Sequence, residues 1–425
     1  MNLKFIWLGL ILEILILTII KPLISDFSGV GLIVVLLHMI FSMITLMSYK
    51  TKGKYIFLMA FLSRVSFMFW DLYARNIFIL PNSGYDTENF YKQAIYFSKN
   101  INLLFVSEGE VYSKILGVIF KLIGPQRIVG QYINVLLGLS IVVIVYKLLL
   151  MIDVDKRLAK MILLIASFFP NSIIMSAILL REIIPTFFVA VSLYYFIKWI
   201  KYQKISNAML ALFMLGIASI FHSGIIGVSL GYFFGFLFYN RKKNNLKFST
   251  KTIFSFVFIV VIITLSFTYF EDTLFGKFKN VEDISDIFNQ ANQRMGGSAY
   301  LTFMTIDNPL QLLIFGPVKS FYFLTSPLPL NWRGFMDVFT FLTDSMLYLI
   351  TIIFAIKNKR FFEGNRALII CIIWAIVGAS FIFGIGIANA GTAVRHRQKL
   401  VALFLVLLGM VMDSKKKYIN KLKLQ

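Results

Sequence analysis

The sequence predicts an all-α polytopic membrane protein with about twelve transmembrane helices, and three observations lead there. Apolar residues make up 59% of the 425 residues, more than one soluble core can enclose. They fall in repeated runs of about 20, the length an α-helix needs to cross a hydrocarbon layer. The lysines fall in short loops between those runs, as expected where cytoplasmic loops retain positive charge. That distribution accounts for the formal net charge of +22, so no nucleic-acid partner is expected.

Taken in order, "FIWLGLILEILILTII" (5–20) runs on toward a second apolar stretch with no small-residue cleavage site, so it reads as the first helix. The Lys-rich loops 48–54, 153–160, 198–204, 240–247, 357–366 and 414–423 are assigned to the cytoplasm. Placing all six on one side sets the spans near 3–22, 29–47, 55–73, 129–150, 161–178, 183–200, 206–222, 224–240, 252–270, 335–356, 367–387 and 398–412, with both termini inside. The result is a single transmembrane domain, 1–412, with external loops 74–128 and 271–334 and a basic tail, 413–425. Two apolar stretches are expected to stay on the outer side. "VYSKILGVIFKLIG" (111–124) is short for a span, and 309–330 is interrupted by Gly316, Pro317, Pro327 and Pro329. The single Cys371 allows no internal disulfide, and no Cys/His spacing suggests zinc.

With this topology every unusual polar stretch falls outside: 82–100, 168–182, "FHSG" (221–224), "NQRMGGSAYL" (292–301), "SPLPLNWRGFMD" (326–337) and "GTAVRHR" (391–397). Seven arginines join them, Arg75, Arg127, Arg181, Arg294, Arg333, Arg395 and Arg397, against the usual charge bias. The planar guanidinium grips phosphate with two parallel hydrogen bonds and tolerates a half-buried setting. Asp86, Glu88, Glu108, Glu110 and Glu182 lie among them. Cations with a few carboxylates at an outer interface suit a lipid-linked phosphate or pyrophosphate, with a carboxylate free for proton transfer. Membrane lipids are the competing partner, since single arginines also anchor to anionic headgroups. Arg64, inside the third span, calls for a partner such as Glu13 or Asp71.

"GYDTENFYKQAIYF", followed by "GEVYSKILGVIFKLIGPQRIVGQYINVLLG", resembles the first external loop of the C-type (GT-C) integral-membrane glycosyltransferases. "FFPNSIIMSAILLREIIPTFFVAVSLYYF" resembles their paired spans. "FHSGIIGVSLGY", "RMGGSAYL" and "YFLTSPLPLNWRGFMD" look like envelope-polysaccharide proteins of Gram-positive bacteria grouped with Wzy-type repeat-unit polymerases. The chain departs from the C-type pattern in having two additional helices before the acidic loop. It also has Asp86 with Glu88 in place of a paired Asp-Asp or Asp-x-Asp. No cofactor is required by the sequence, and that second departure leaves a divalent cation unsupported.

The resemblance implies transfer of a sugar from a polyprenyl-phosphate-linked donor to a glycan acceptor on the outer face of the cell membrane, polymerising or decorating a surface polysaccharide. Other polysaccharide-synthesis proteins are its implied partners. Asp86 is then the candidate base, with Glu88 and Glu182 behind it, and Asp86 could equally cap the helix expected over 86–98. Glu88 and Tyr91 share a face of that helix. Arg181 with Glu182 reads either as substrate contact or as an ion pair at a helix entrance. His222 reads as ligand contact or helix-end hydrogen bond, and Arg333 as leaving-group clamp or interfacial anchor beside Trp332. Arg294, Arg395, His396 and Arg397 complete the candidate phosphate-binding set. Both arginines flanking His396 would turn toward a pyrophosphate if "NAGTAV" were irregular. A lipid-linked-sugar transporter and a non-catalytic membrane component of an envelope-synthesis complex are the alternatives. Cysteine introduced at Ser298 or Asn331 should react with a membrane-impermeant thiol reagent in whole cells. Protection of both until lysis would overturn the topology.

Overall fold

The computed structural model describes residues 3–23, 29–51, 53–106, 109–240, 245–247, 249–250, 254, 296–306, 308–362 and 365–423. Among the described residues the protein is all-α apart from one short strand pair, Tyr239–Asn240 with Asn245–Leu246, and one isolated bridge. Among the described residues seven helices are long and apolar enough to cross a membrane, or eight if one bent pair counts as a single span. These properties mark a multi-pass membrane protein. The chain forms two compact units, Met1–Tyr146 with Leu163–Phe187, and Lys147–Ile162 with Phe188–Gln425.

The first unit begins with three apolar helices, α1 (Lys4–Ile20), α2 (Val30–Ser48) and α3 (Lys54–Tyr73). Two shorter helices follow, α4 (Tyr85–Lys99) and α5 (Val111–Ile123). In α5 Tyr112, Ser113, Leu116, Gly117, Phe120 and Ile123 recur at helical spacing and are buried, so this 13-residue helix is amphipathic. It packs closely on α4, where a Cβ at Gly117 would lie 3.2 Å from the Ala94 carbonyl oxygen. Next comes α6 (Arg127–Met151). The stretch expected to be one span over 161–178 is instead bent by 47° between α7 (Lys156–Phe168) and α8 (Pro170–Ala177). Pro170 supplies the physical reason: lacking an N–H it cannot continue α7, whereas at the first position of α8 none is needed.

The second unit takes in much of α9 (Ile183–Tyr202), then α10 (Ile205–Phe221) and α11 (Ser229–Phe238). The two spans expected over 206–240 are these shorter apolar helices, separated at His222 by a 3₁₀ segment, Ser223–Val228. The span expected over 252–270 lies outside the described residues. The stretch expected to break at Gly316 and Pro317 forms one helix, α12 (Pro309–Thr325). Proline removes one donor there, while the Ser320 hydroxyl donates to the Gly316 carbonyl at 2.7 Å. That helix ends before Pro327, where the ring disfavours helical backbone in the preceding residue.

Helices α13 (Phe335–Thr340) and α14 (Met346–Lys357) are joined by a π turn, Phe341–Ser345. They are followed by α15 (Arg366–Gly386), α16 (Ala390–Arg397) and α17 (Val401–Lys423). Helix α17 is buried on all sides from Val401 to Val411, as a core helix should be, and then carries the Lys-rich tail. Helix α15 lies at the centre of this unit. Its Cys371, Ala375 and Gly378 meet Gly231 and Gly227 with backbone against backbone, and Gly384 lies against Ser320 of α12.

One end of the second unit gathers residues of several Lys-rich loops. Lys416 pairs with Asp155 at 2.9 Å, Lys417 with Asp413 at 2.7 Å, and Lys201 donates to the Met151 carbonyl at 3.1 Å. A cavity of about 250 Å³ there is lined in part by Asp153, Lys201, Tyr239 and Asn365.

The glycine contacts are testable. A Cβ at Gly231 would overlap the Cys371 carbonyl and the Ala375 amide, whereas one at Gly216 in α10 meets nothing within 4 Å. Gly231→Val should therefore cost about 1–3 kcal/mol or more and lower the unfolding temperature in detergent. Gly216→Ala should be neutral or stabilising by up to about 1 kcal/mol.

Candidate functional site

In the first unit the acidic loop is organised around Asp71, whose side chain is fully buried at the end of α3. Arg75 donates to both its oxygens, at 3.1 and 3.2 Å, Gln131 of α6 donates at 2.6 Å, and the Ser83 hydroxyl also donates. Glu88, one turn into α4, receives Arg75 and two hydrogen bonds from Arg127 Nη1 at 2.7 and 2.9 Å. The same Arg127 guanidinium lies 5.6 Å from the Tyr91 ring centre, so the expected shared face of Glu88 and Tyr91 closes on one arginine. Tyr91 donates its hydroxyl to the Pro125 carbonyl at 2.9 Å.

Partial burial by itself would raise the Glu88 carboxyl, but the hydrogen bonds and charges of Arg75 and Arg127 outweigh it and hold Glu88 below the usual range. A carboxylate so held is a weak base, which places Glu88 as the anchor of two arginines and corrects its expected catalytic role. Asp86 stands half-buried in the first turn of α4, yet it does not cap the helix. The N-cap is Gly84, at φ +140°, and the Thr87 hydroxyl accepts the Gly84 N–H at 3.1 Å.

Arg181 pairs with Glu110 and lies 6.0 Å from the Phe90 ring centre, so its ionic partner comes from the acidic loop. Glu182 is 1% exposed at the head of α9. Burial lifts the nearby Tyr112 phenol above its usual value, and the charge of Glu182 adds to the lift. The extended segment between α8 and α9 is held by amides of α6. Gln131 donates to the Ala177 carbonyl at 3.1 Å, and Asn134 donates to those of Ile178 and Leu180 at 2.9 and 3.0 Å. Arg64 finds neither Glu13 nor Asp71. It donates to the carbonyls of Ala60 and Ser167 at 2.8 and 2.9 Å and of Ala166 at 3.4 Å.

In the second unit the structure joins four of the polar stretches. Ala299 bridges antiparallel to Asn389, and Ser298 donates to Asn389 Oδ1 at 2.8 Å. The same Oδ1 accepts the Thr392 N–H and so caps α16. Arg333 donates to the Ala299 carbonyl at 2.8 Å, while its backbone N–H donates to Asp337 at 2.8 Å. The ring centres of His222 and His396 lie 4.2 Å apart, with Phe383 beside both. Lys399, 1% exposed, donates to His396 Nδ1 at 2.7 Å. Arg294 lies outside the described residues.

Because 390–397 is helical and not irregular, the two arginines around His396 diverge. Arg395 and His396 are half-buried, whereas Arg397 is fully buried and spends its N–H groups internally. Its Nε donates to Asp344 at 2.6 Å, Nη2 donates to Ser345 Oγ at 2.8 Å and pairs with Asp344, and Nη1 donates to the carbonyls of Ser326 and Phe323. The expectation that Arg397 grips a phosphate is thereby corrected, since no donor is left for one. Sequence reasoning missed Asp344 and Lys399, although a lone acid inside an expected span is itself a signal that a cation must meet it. Compared with protein-family models, curated proteins and solved structures, the chain matches none.

The Arg397–Asp344 pair yields a stability prediction. Asp344→Ala should strip a buried guanidinium of its counter-charge and destabilise by about 3–5 kcal/mol, seen as lost membrane abundance and a lower unfolding temperature. Replacing both partners by apolar residues, Asp344→Leu with Arg397→Met, should recover much of that loss.

Proposed function

We propose that the protein is a membrane glycosyltransferase of C-type architecture, with about twelve spans and both termini cytoplasmic. It acts on the outer face of the cell membrane and uses polyprenyl-(pyro)phosphate-linked sugars to polymerise or decorate a surface polysaccharide. The observation that carries this reading is the polar end of the second unit. There Lys399 donates to His396 of the His222–His396 pair, Arg395 precedes it in α16, and Asp344 pairs with Arg397. Half-buried Arg395 and His396 beside the buried Lys399 favour an anion that brings its own charge into a poorly hydrated setting. A (pyro)phosphate leaving group has that character, since negative charge grows on it as the bond to the sugar breaks. Arg395 and His396 are the residues assigned to receive it.

A transporter of lipid-linked sugars is the second reading, favoured by one observation: the bent α7–α8 span whose freed carbonyls are met by Arg64. The test compares Arg395→Lys and Arg395→Ala at matched membrane abundance, measuring polymer formed and lipid-linked precursor retained. Lys keeps the charge but loses the fork, so polymer should fall by about tenfold, and further with Ala, while precursor accumulates outside. Wild-type polymer from the Lys variant would reduce Arg395 to a headgroup anchor, and precursor retained inside would select the transporter.

A further inference from the structure

Helix α5 is apolar on two faces, and only one of them packs on protein. Opposite its buried face stand Val111, Ile115 and Val118, all exposed, with Ile119 and Leu122 half-buried beside them. Helix α4, its partner, differs. The exposed positions of α4 are Tyr85, Asn89, Lys92, Tyr96 and Lys99, a polar stripe at helical spacing. The free faces of the two helices therefore suit different surroundings, water for α4 and an apolar phase for α5.

Both ends of α5 are tied to ends of membrane-spanning helices. Glu110, its N-cap, pairs with Arg181, two residues before α9, and the Lys121 carbonyl in its last turn accepts from Lys21 at the end of α1 at 3.0 Å. Those two span ends lie on one side, because the start of α6 stands beside both. Gln126, just ahead of α6, lies against Gly31 in the first turn of α2, which follows α1. Gln131 and Asn134, in the first two turns of α6, hold the segment that leads to Arg181. With both ends at one level, the 13 residues of α5 run along the boundary for about 20 Å and do not cross.

The level itself is marked by α3. Trp70 and Tyr73, exposed in its last turn, are residue types that collect where headgroups meet hydrocarbon. Asp71 of the same turn binds Arg75, which also holds Glu88 of α4, so α4 starts at this level too. Between α4 and α5 the chain reads "INLLFV" (101–106), with Phe105 96% and Val106 83% exposed. Apolar side chains bared in a row at a loop mark a surface that something apolar covers. Lipid already reaches this edge of the unit, since α1, the span on which α5 packs, is bare and apolar at the same end, with Ile16, Ile19 and Leu23 exposed.

We propose that the α4–α5 hairpin is a lipid-docked element lying along the membrane boundary, and that the bilayer itself is the partner of its apolar side. The free face of α5 and the tip at Phe105 and Val106 are embedded among acyl chains, while the free face of α4 is in water. Lys114 and Lys121, at i and i+7, line one edge of the apolar face, where an ammonium reaches the headgroups with its stem in hydrocarbon. Because α5 is helical, its backbone groups are satisfied internally and tolerate that setting. The hairpin thereby holds Glu88 and its two arginines at headgroup level. None of this rests on the glycosyltransferase reading.

The experiment places a nitroxide spin label on Val106→Cys, Val118→Cys and Lys92→Cys, one per chain, in the full protein in lipid vesicles. All three positions are exposed, so a label is carried without repacking, and the unsubstituted chain, whose Cys371 is buried, controls for stray labelling. Relaxation of each label is compared between oxygen, which concentrates in hydrocarbon, and a water-soluble nickel chelate. Labels at 106 and 118 should be relaxed more by oxygen, and the label at 92 more by the chelate. Stronger relaxation by the chelate at 106 or 118 would overturn the proposal and stand the hairpin in water. A label at either position shielded from both reagents would also overturn it, assigning the apolar face to a protein partner or a second copy of the chain. Oxygen-dominated relaxation at 92 would overturn the division of the hairpin into a wet and a lipid side.

Discussion

Two helices of this protein end at a proline in apolar surroundings, and the carbonyls freed there have no water to turn to. A guanidinium takes them in both cases. Arg64 receives Ala166 and Ser167 from the last turn of α7, before Pro170, and Arg397 receives Phe323 and Ser326 from the end of α12, before Pro327. The C-terminal end of a helix is also the negative end of its dipole, so the cation gains from the same carbonyls it satisfies. Five donors in a fixed plane suit this task better than an ammonium. Remove either arginine and a helix end is left with unpaired carbonyls in an apolar setting.

In the second unit much else follows from this constraint. Arg397 cannot meet the end of α12 without drawing the C-terminus of α16 inward, and Asp344 and Ser345 of the π turn close around it. With residue 397 directed into the core, helical spacing sends 395 and 396 to other faces. The half-buried position of Arg395 and His396 is thus the geometric counterpart of a fully buried Arg397. In the first unit the side-chain amides of Gln131 and Asn134 do similar work, holding the three carbonyls of the extended segment between α8 and α9.

What the sequence made legible was the part governed by local rules. Apolar length found α1, α2, α3, α6, α9 and α15, the short amphipathic run found α5, and α4 was placed within a residue or so of its ends. The proline rules failed in a consistent way. Pro170 was read through and bends its span, whereas Gly316–Pro317 was read as a break and is helical. At Pro170 the carbonyls at the end of α7 are received by an arginine over 100 positions away, which no local rule supplies. The site divided along the same line. Residue types put arginines and carboxylates in the same polar stretches, but did not show that Arg75 and Arg127, 13 and 39 positions away, both close on Glu88. Which arginine faces inward was not local information, since Asp344 lies 53 positions from Arg397.

The distinction between the buried and half-buried cations also separates structure from chemistry. Arg64 and Arg397 set a guanidinium against helix-end carbonyls and, for Arg397, against Asp344. Histidine is different, because its charge depends on which partner sits at the second nitrogen. At His396 that partner is Lys399, a donor with no lone pair to offer while charged, so Nδ1 accepts. At His38 the partners are hydroxyls that can reverse direction. The same side chain is thus locked in one unit and left reversible in the other, by nothing more than whether its neighbour can accept.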